Sequence, residues 1–208
     1  MQTVYFDHAA TTPVDERVLE HMKPYFTRHF GNANSTHQIG NEAKVAVEEA
    51  REKVAELIGA EPAEIIFTSG GTESDNAVIK GVMEATGKSE VITSPLEHHA
   101  VLHTVEDTKR RGHKPVYLEP DRRGLVSPAQ VEEAITDDTA LVTLMHVNNE
   151  IGSVNPISDI SEICREHGVP LHSDTVQSVG KIPVDVDDLG VDFLSISGHK
   201  IYGPKAWA

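Results

Sequence analysis

The chain is poor in cysteine, in positive charge and in long apolar runs, and each shortage excludes a class of protein. Its one cysteine, Cys164, allows no intramolecular disulfide framework. A lone thiol suits a reducing compartment. Only 18 lysines and arginines face 33 aspartates and glutamates, which leaves a net charge of −15. That balance lacks the basic footprint of a non-specific nucleic-acid binder. It also opposes docking on an anionic membrane surface, so neither nucleic acid nor membrane is expected as a partner. Charge of this sign and size serves solubility. No apolar run reaches the roughly 18 residues that a membrane helix needs. The opening "MQTVYFDHAATT" has neither the basic start nor the apolar stretch of a secretory signal. A cytoplasmic protein is the default expectation. Internal repeats at solenoid periods and low-complexity blocks are also missing.

What is present is alternation. "AVEEAREKVAELIG" sets Val47, Ala50, Val54, Leu57 and Ile58 at helical spacing, with Gly59 as its stop. "EIIFTSG" at 64–70 reads as a buried strand, and "ESDNAVIKGVMEAT" as a helix. Strands are predicted at 90–95, in "KPVYLEP", at 139–147, in "VPLHSD" and at 191–198. Helices are predicted between them at 99–112, 127–135 and 158–168. Ser127 caps the second of these helices, with Pro128 in its first turn. The strands are apolar throughout rather than alternating. That predicts an α/β fold with a largely parallel sheet covered by helices on both faces. Ligands of such sheets bind beyond the carboxyl ends of the strands.

Chemistry collects at those ends. After 64–70 comes "SGGTESDN": Gly70 and Gly71 allow a tight turn, Thr72 and Ser74 supply hydroxyls, and the helix that follows offers free N–H groups to a phosphate. It is neither a Walker A loop nor a G-x-G-x-x-G turn. His98 stands at the next strand's exit, where its ring can pack on a planar ligand. His99 and His103 share a helical face, but no further ligand has the spacing for a metal site, so none is expected. Asn148 and Asn149 follow 139–147. Asp174 and Gln177 follow the next strand, and "SGHK" brings Ser197, His199 and Lys200 after the last. Each feature alone reads equally well as a cap or turn. Their joint placement on one sheet edge does not. A lysine at a buried strand end can bond covalently to a carbonyl. Pyridoxal phosphate asks for that lysine and for a carboxylate on its pyridine nitrogen, which Asp174 supplies.

Seven stretches carry a closer resemblance: "YFDHAATTPVD", "FGNANSTH", "FTSGGTESDN", "LEHHAVL", "MHVNNEIG", "HSDTVQSVGK" and "SISGHKIYGPK". In order and interval they resemble the cysteine desulfurases, class V enzymes of the fold-type I pyridoxal phosphate group. The resemblance implies catalytic roles for Lys200 and His98, with Lys200 binding the cofactor covalently and His98 stacking on its ring. Asp174 pairs with the ring nitrogen and Gln177 with the ring oxygen. Gly71, Thr72, Ser197 and His199 hold the phosphate, and Asn149 serves both cofactor and substrate carboxylate. The implied reaction takes sulfur from L-cysteine, leaves L-alanine, and passes the sulfur as a persulfide to iron–sulfur assembly or tRNA thiolation. A homodimer is implied, as is a scaffold or sulfur-acceptor protein as partner.

The resemblance also implies a longer enzyme. Residues 1–12 read as an N-terminal segment and 13–208 as an incomplete large cofactor-binding domain. The small C-terminal domain, and the loop bearing the family's persulfide cysteine, are expected to lie outside this chain, so the chain alone is not expected to complete sulfur transfer. Cys164 is no substitute, since it sits in a predicted amphipathic helix where a thiol packs as a small hydrophobe. A sheet without its last strand is expected to expose apolar surface and to self-associate or dissolve poorly. Competing readings are a selenocysteine lyase, a class V aminotransferase, a non-catalytic cofactor-binding fragment or half of a split protein, and an α/β domain with no ligand.

Overall fold

The structure is a computed structural model that describes residues 3–205. The closing "AWA" lies outside the described residues.

Helix boundaries follow from local capping. α1 (Glu16–Thr27) starts where the Asp15 carboxylate accepts from Arg17 N–H. α2 (Gln38–Ile58) starts at His37 and stops at Gly59, whose φ of 72° lies in the left-handed region. α3 (Gly71–Thr86) and α4 (His99–Thr108) pack on each other. α5 (Pro128–Ala134) opens with the expected Ser127 cap, which exchanges hydrogen bonds with Gln130. α6 (Ile157–His167) and the short α7 (Val186–Leu189) complete the set. Among the described residues no helix is long and apolar enough to cross a membrane.

The strands β1 (Glu90–Thr93), β2 (Lys114–Tyr117), β3 (Thr139–Thr143), β4 (Leu171–Asp174) and β5 (Phe193–Ser195) form one sheet in the order β2-β1-β3-β4-β5. Every neighbouring pair is parallel. Successive strand residues feed opposite faces. Val91 and Leu141 join Ile79, Met83, Val101 and Val105 under α3 and α4. Ile92 and Val142 join Ile157, Ile160, Cys164 and Leu171 under α5 and α6. The central strands β1, β3 and β4 are therefore buried on both sides, which is why their sequences do not alternate, while β2 and β5 form the more exposed edges. The order reverses between β1 and β3, and that switch point fixes where a ligand fits.

One predicted strand is absent. Residues 64–70 enter no ladder among the described residues: Pro62–Glu64 is a 3-10 turn, the next four residues are irregular, and Ile66 is 80% exposed. The physical reason lies in α2. The Arg51 guanidinium donates to Ile65 O and sits 5.0 Å from the Phe67 ring centroid. Those contacts dock the segment on a helix. The predicted strand 139–147 is likewise shorter as a formal strand. Its track continues, since Leu144 N–H and His146 N–H donate to His172 O and Asp174 O, at 3.1 and 3.0 Å.

Candidate active site

At the carboxyl end of the sheet lies a cavity of about 470 Å³. Gly71, Thr72, His98, Asn149, Asp174, Gln177, Ser197, His199 and Lys200 all line it, so these nine candidates share one space. Four separate strand exits and the start of α3 deliver them, which parallel topology makes possible.

Each side chain is set by its own turn. Asp174 ends β4, is 4% exposed, and accepts from Val176 N–H at 2.9 Å through Oδ1. Burial raises its pKa, while the Val176 N–H, His98 and Lys200 pull it back down. His98 caps α4, its Nδ1 accepting from Ala100 N–H at 3.1 Å. That bond fixes the ring plane and leaves Nε2 with the proton of the neutral ring. Lys200 closes a 3-10 turn at Gly198–Lys200 after β5. Burial lowers its pKa, and the charges of Asp174 and Asp7 partly restore it. His199 is lowered as well, first by burial and then by Lys200, Lys205 and Lys181.

The N-terminal segment closes one wall. Lys200 Nζ donates to Ala9 O, and to Ala10 O at 2.9 Å. Gln177 Nε2 reaches Ala9 O at 2.8 Å, and its Oε1 accepts from Lys181 Nζ at 2.8 Å. Thr12 N–H and Oγ1 each donate to His199 O at 2.9 Å, and Tyr202 N–H donates to Thr12 Oγ1 at 2.8 Å. Tyr202 has a φ of 63°, a costly value for a side chain of its size, in the loop directly after the lysine.

Two sequence candidates lie elsewhere. Ser74 Oγ is 2.8 Å from Thr68 Oγ1 and serves the turn before α3 rather than the cavity. Asn148 is buried and structural: its Nδ2 donates to Leu96 O at 2.8 Å while its Oδ1 accepts from Glu150 and Ile151 N–H. His99 and His103 form a ring stack 5.2 Å apart. Other site residues were not foreseen: Asp7, Ala9, Ala10, Asp75, Met145, Glu150 and Val176 also line the cavity. Behind it sits Glu97, whose Oε1 accepts from Met145 N–H at 3.0 Å and whose Oε2 is buried without a partner. Burial pushes its pKa well up. The signal for Asp75 was its place one helical turn after Gly71.

The donor set fits pyridoxal phosphate. Its walls carry the Lys200 amine, the buried carboxyl groups of Asp75 and Asp174, the amides of Asn149 and Gln177, and the imidazoles of His98 and His199. A Cβ on Gly71 would come within 3.3 Å of Val176 Cγ2 and 3.7 Å of Ser197 Cβ. Glycine there lets the start of α3, with its free N–H groups, approach the Ser197 turn closely enough to share an anion.

A family profile described as Aminotransferase class-V matches residues 4–206. The Dictyoglomus turgidum protein named Cysteine desulfurase IscS is 52% identical over 204 residues, covering 97% of this chain and 52% of that protein. The Bacillus subtilis Putative cysteine desulfurase IscS 1 is 51% identical over 207 residues, covering 99% and 55%. A solved structure described as SspA in complex with cysteine matches with a TM-score of 0.96 at 47% identity, covering 99% of this chain and 60% of that one. The chain spans about half the length of the curated relatives it matches.

Proposed function

The chain belongs to the aminotransferase class-V family, and from that premise we propose that it is the cofactor-binding part of a pyridoxal phosphate-dependent cysteine desulfurase. One observation carries the reading: Lys200, Asp174, Gln177 and His98 converge on a single cavity at the end of a parallel sheet. The match to a solved structure described in complex with cysteine supports L-cysteine as substrate, and L-alanine is the proposed product.

Pyridoxal phosphate supplies an electron sink for charge that develops at an amino acid's α-carbon. The chain's own residues supply the rest. Lys200 would hold the cofactor through its carbonyl carbon and would move protons at the substrate carbons. Its lowered pKa brings the neutral amine within reach at lower pH than for a free lysine. Asp174 would keep the proton on the ring nitrogen, Gln177 would bond the ring oxygen, and His98 would pack on the ring. Gly71, Thr72, Ser197 and His199 take the phosphate beside the positive end of α3. Asn149 serves the substrate carboxylate. In this reading residues 1–12 are an N-terminal segment, of which residues 9–12 contact Gln177 and the lysine turn, and 13–208 belong to the large cofactor-binding domain. Cys164 is not the sulfur acceptor: burial, with the charge of Asp192, pushes its thiol up to about 12. The sulfur's proposed destination is iron–sulfur assembly or tRNA thiolation, through an acceptor protein and from a homodimer.

The test is L-alanine release from L-cysteine by the cofactor-loaded chain, with dithiothreitol as sulfur acceptor. Alanine formation that is lost in Lys200→Ala supports the proposal. A loaded chain that forms no alanine favours the cofactor-binding fragment. Faster release from L-selenocysteine than from L-cysteine favours the lyase.

A further inference from the structure

Two carboxyl groups from different elements share the same buried wall. Asp75 comes from α3 and Asp174 from the end of β4; they are 1% and 4% exposed, and both line the cavity. Asp75 Oδ1 is buried without a hydrogen-bond partner. The ring of His172, from β4, lies 3.6 Å from it through Nε2. That ring is itself wholly buried, with its nitrogens 2.8 Å from Thr143 Oγ1 and 3.0 Å from Ser195 Oγ. Burial lowers its pKa to about 3, so at neutral pH it carries no charge to offset a carboxylate. The groups acting on Asp75 are Asp174, which repels its charge, and the Ser195 hydroxyl, which favours it.

Asp174 stands in a different field. It accepts from Val176 N–H, and His98 and Lys200 favour its ionised form. The remaining ionisable neighbours do not change this contrast. Glu97, in the turn after β1, is buried and acid-like, and it feels both aspartates as repulsion. Asp7, His199 and Lys181 act on the Lys200 side of the cavity. Glu73, on α3, is exposed and accepts from Ser69 N–H.

We propose that Asp75 is a positioning residue that holds a proton as a neutral acid, so that the wall carries its single negative charge on Asp174. Two buried carboxyl groups that repel each other's charge do not both ionise at neutral pH, and the one that accepts from Val176 N–H and feels the Lys200 amine ionises first. Asp75 thereby keeps Asp174 available for the cofactor's ring nitrogen. The cofactor role of the pair rests on the proposed reading of Asp174; the shared proton does not. Burial, followed by the charge of Asp174, pushes Asp75 up to about 8.

The test is a carboxyl 13C NMR titration of the whole chain, labelled at aspartate only, without cofactor. Aspartate labelling keeps Glu97 silent. One aspartate is expected to titrate near pH 8, to vanish in Asp75→Asn, and to move to lower pH in Asp174→Asn. The proposal is overturned if all aspartates titrate below about pH 5. It is equally overturned if the signal near pH 8 survives in Asp75→Asn, or if Asp174→Asn leaves that signal where it was. The visible absorbance of pyridoxal phosphate bound to Asp174→Asn separates the two readings. An unchanged spectrum removes Asp174 from the ring nitrogen while the titration still decides the shared proton.

Discussion

Lys200 Nζ donates to the carbonyl oxygen of Ala10 across 2.9 Å, joining two residues 190 positions apart in the chain. The contact belongs to a wider seam in which Thr12 binds both His199 and Tyr202. Turn chemistry alone does not hold the lysine in place; a strap from the start of the chain presses on it.

Thr12→Val tests that seam. Valine keeps the shape of threonine but removes the hydroxyl that accepts from Tyr202 N–H and donates to His199 O. Because Thr12 is buried, the loss leaves Tyr202 N–H short of a partner. The expected cost is about 1–3 kcal/mol of stability, measured as a fall in the urea midpoint. Pyridoxal phosphate affinity falls with it, as read by fluorescence titration.

Asp75 makes stability depend on pH. Its folded pKa of about 8 stands above its ordinary 3.8, so between those values the folded chain keeps a proton that the unfolded chain has released. Stability from this group is full below the lower value and is lost as pH rises through the upper one. Asp75→Asn is expected to flatten the decline. Urea midpoints at several pH values across that window check it, and parallel declines in both proteins would contradict it.

His172 acts at the acid end. Its folded pKa of about 3 lies below the ordinary 6.5, so the unfolded chain binds the extra proton between them. Stability is expected to fall as pH drops through that window. His172→Gln, which cannot titrate, should lose less over the same range in the same denaturation series.

Cys164 is expected to be silent in the native chain. It is 1% exposed within α6, and its thiol lies far above neutral pKa. A thiol reagent such as DTNB should label none of it in buffer and all of it in guanidinium chloride. Rapid native labelling would reopen Cys164 as a sulfur carrier.

Apolar surface predicts self-association. Phe6, Phe26 and Phe30 are 89%, 71% and 69% exposed, and α1 buries no residue. Ile66 and Phe67 add to the exposed set. Sedimentation velocity is expected to show concentration-dependent oligomers. A sharp monomer at high concentration would contradict this.

The parts of the fold that were legible in sequence share one cause. Val91, Ile92, Leu141 and Val142 are buried on both sheet faces, so β1 and β3 read as continuous apolar runs. The candidate site was legible because turn-forming and polar residues such as Asp174 and Lys200 sit where the runs of β4 and β5 end. Residues 64–70 carried the same apolar signal without the same outcome, since Arg51 holds Ile65 and Phe67 against α2. Local sequence does not report such a capture from a neighbouring helix. Asp75 was hidden for a related reason: on a helix an aspartate normally reads as solvated, and only packing against His172 and Ser195 buries it. α1 carried its own start signal in Asp15, but no buried face to announce it.

The most direct measurement is the intact mass of the chain after incubation with pyridoxal phosphate and borohydride, beside Lys200→Ala. Borohydride fixes the bond between the lysine and the cofactor's carbonyl carbon as a stable amine. The account predicts one phosphopyridoxyl adduct per chain, absent from the variant. An adduct of equal yield in Lys200→Ala, or no specific adduct in either protein, would contradict it.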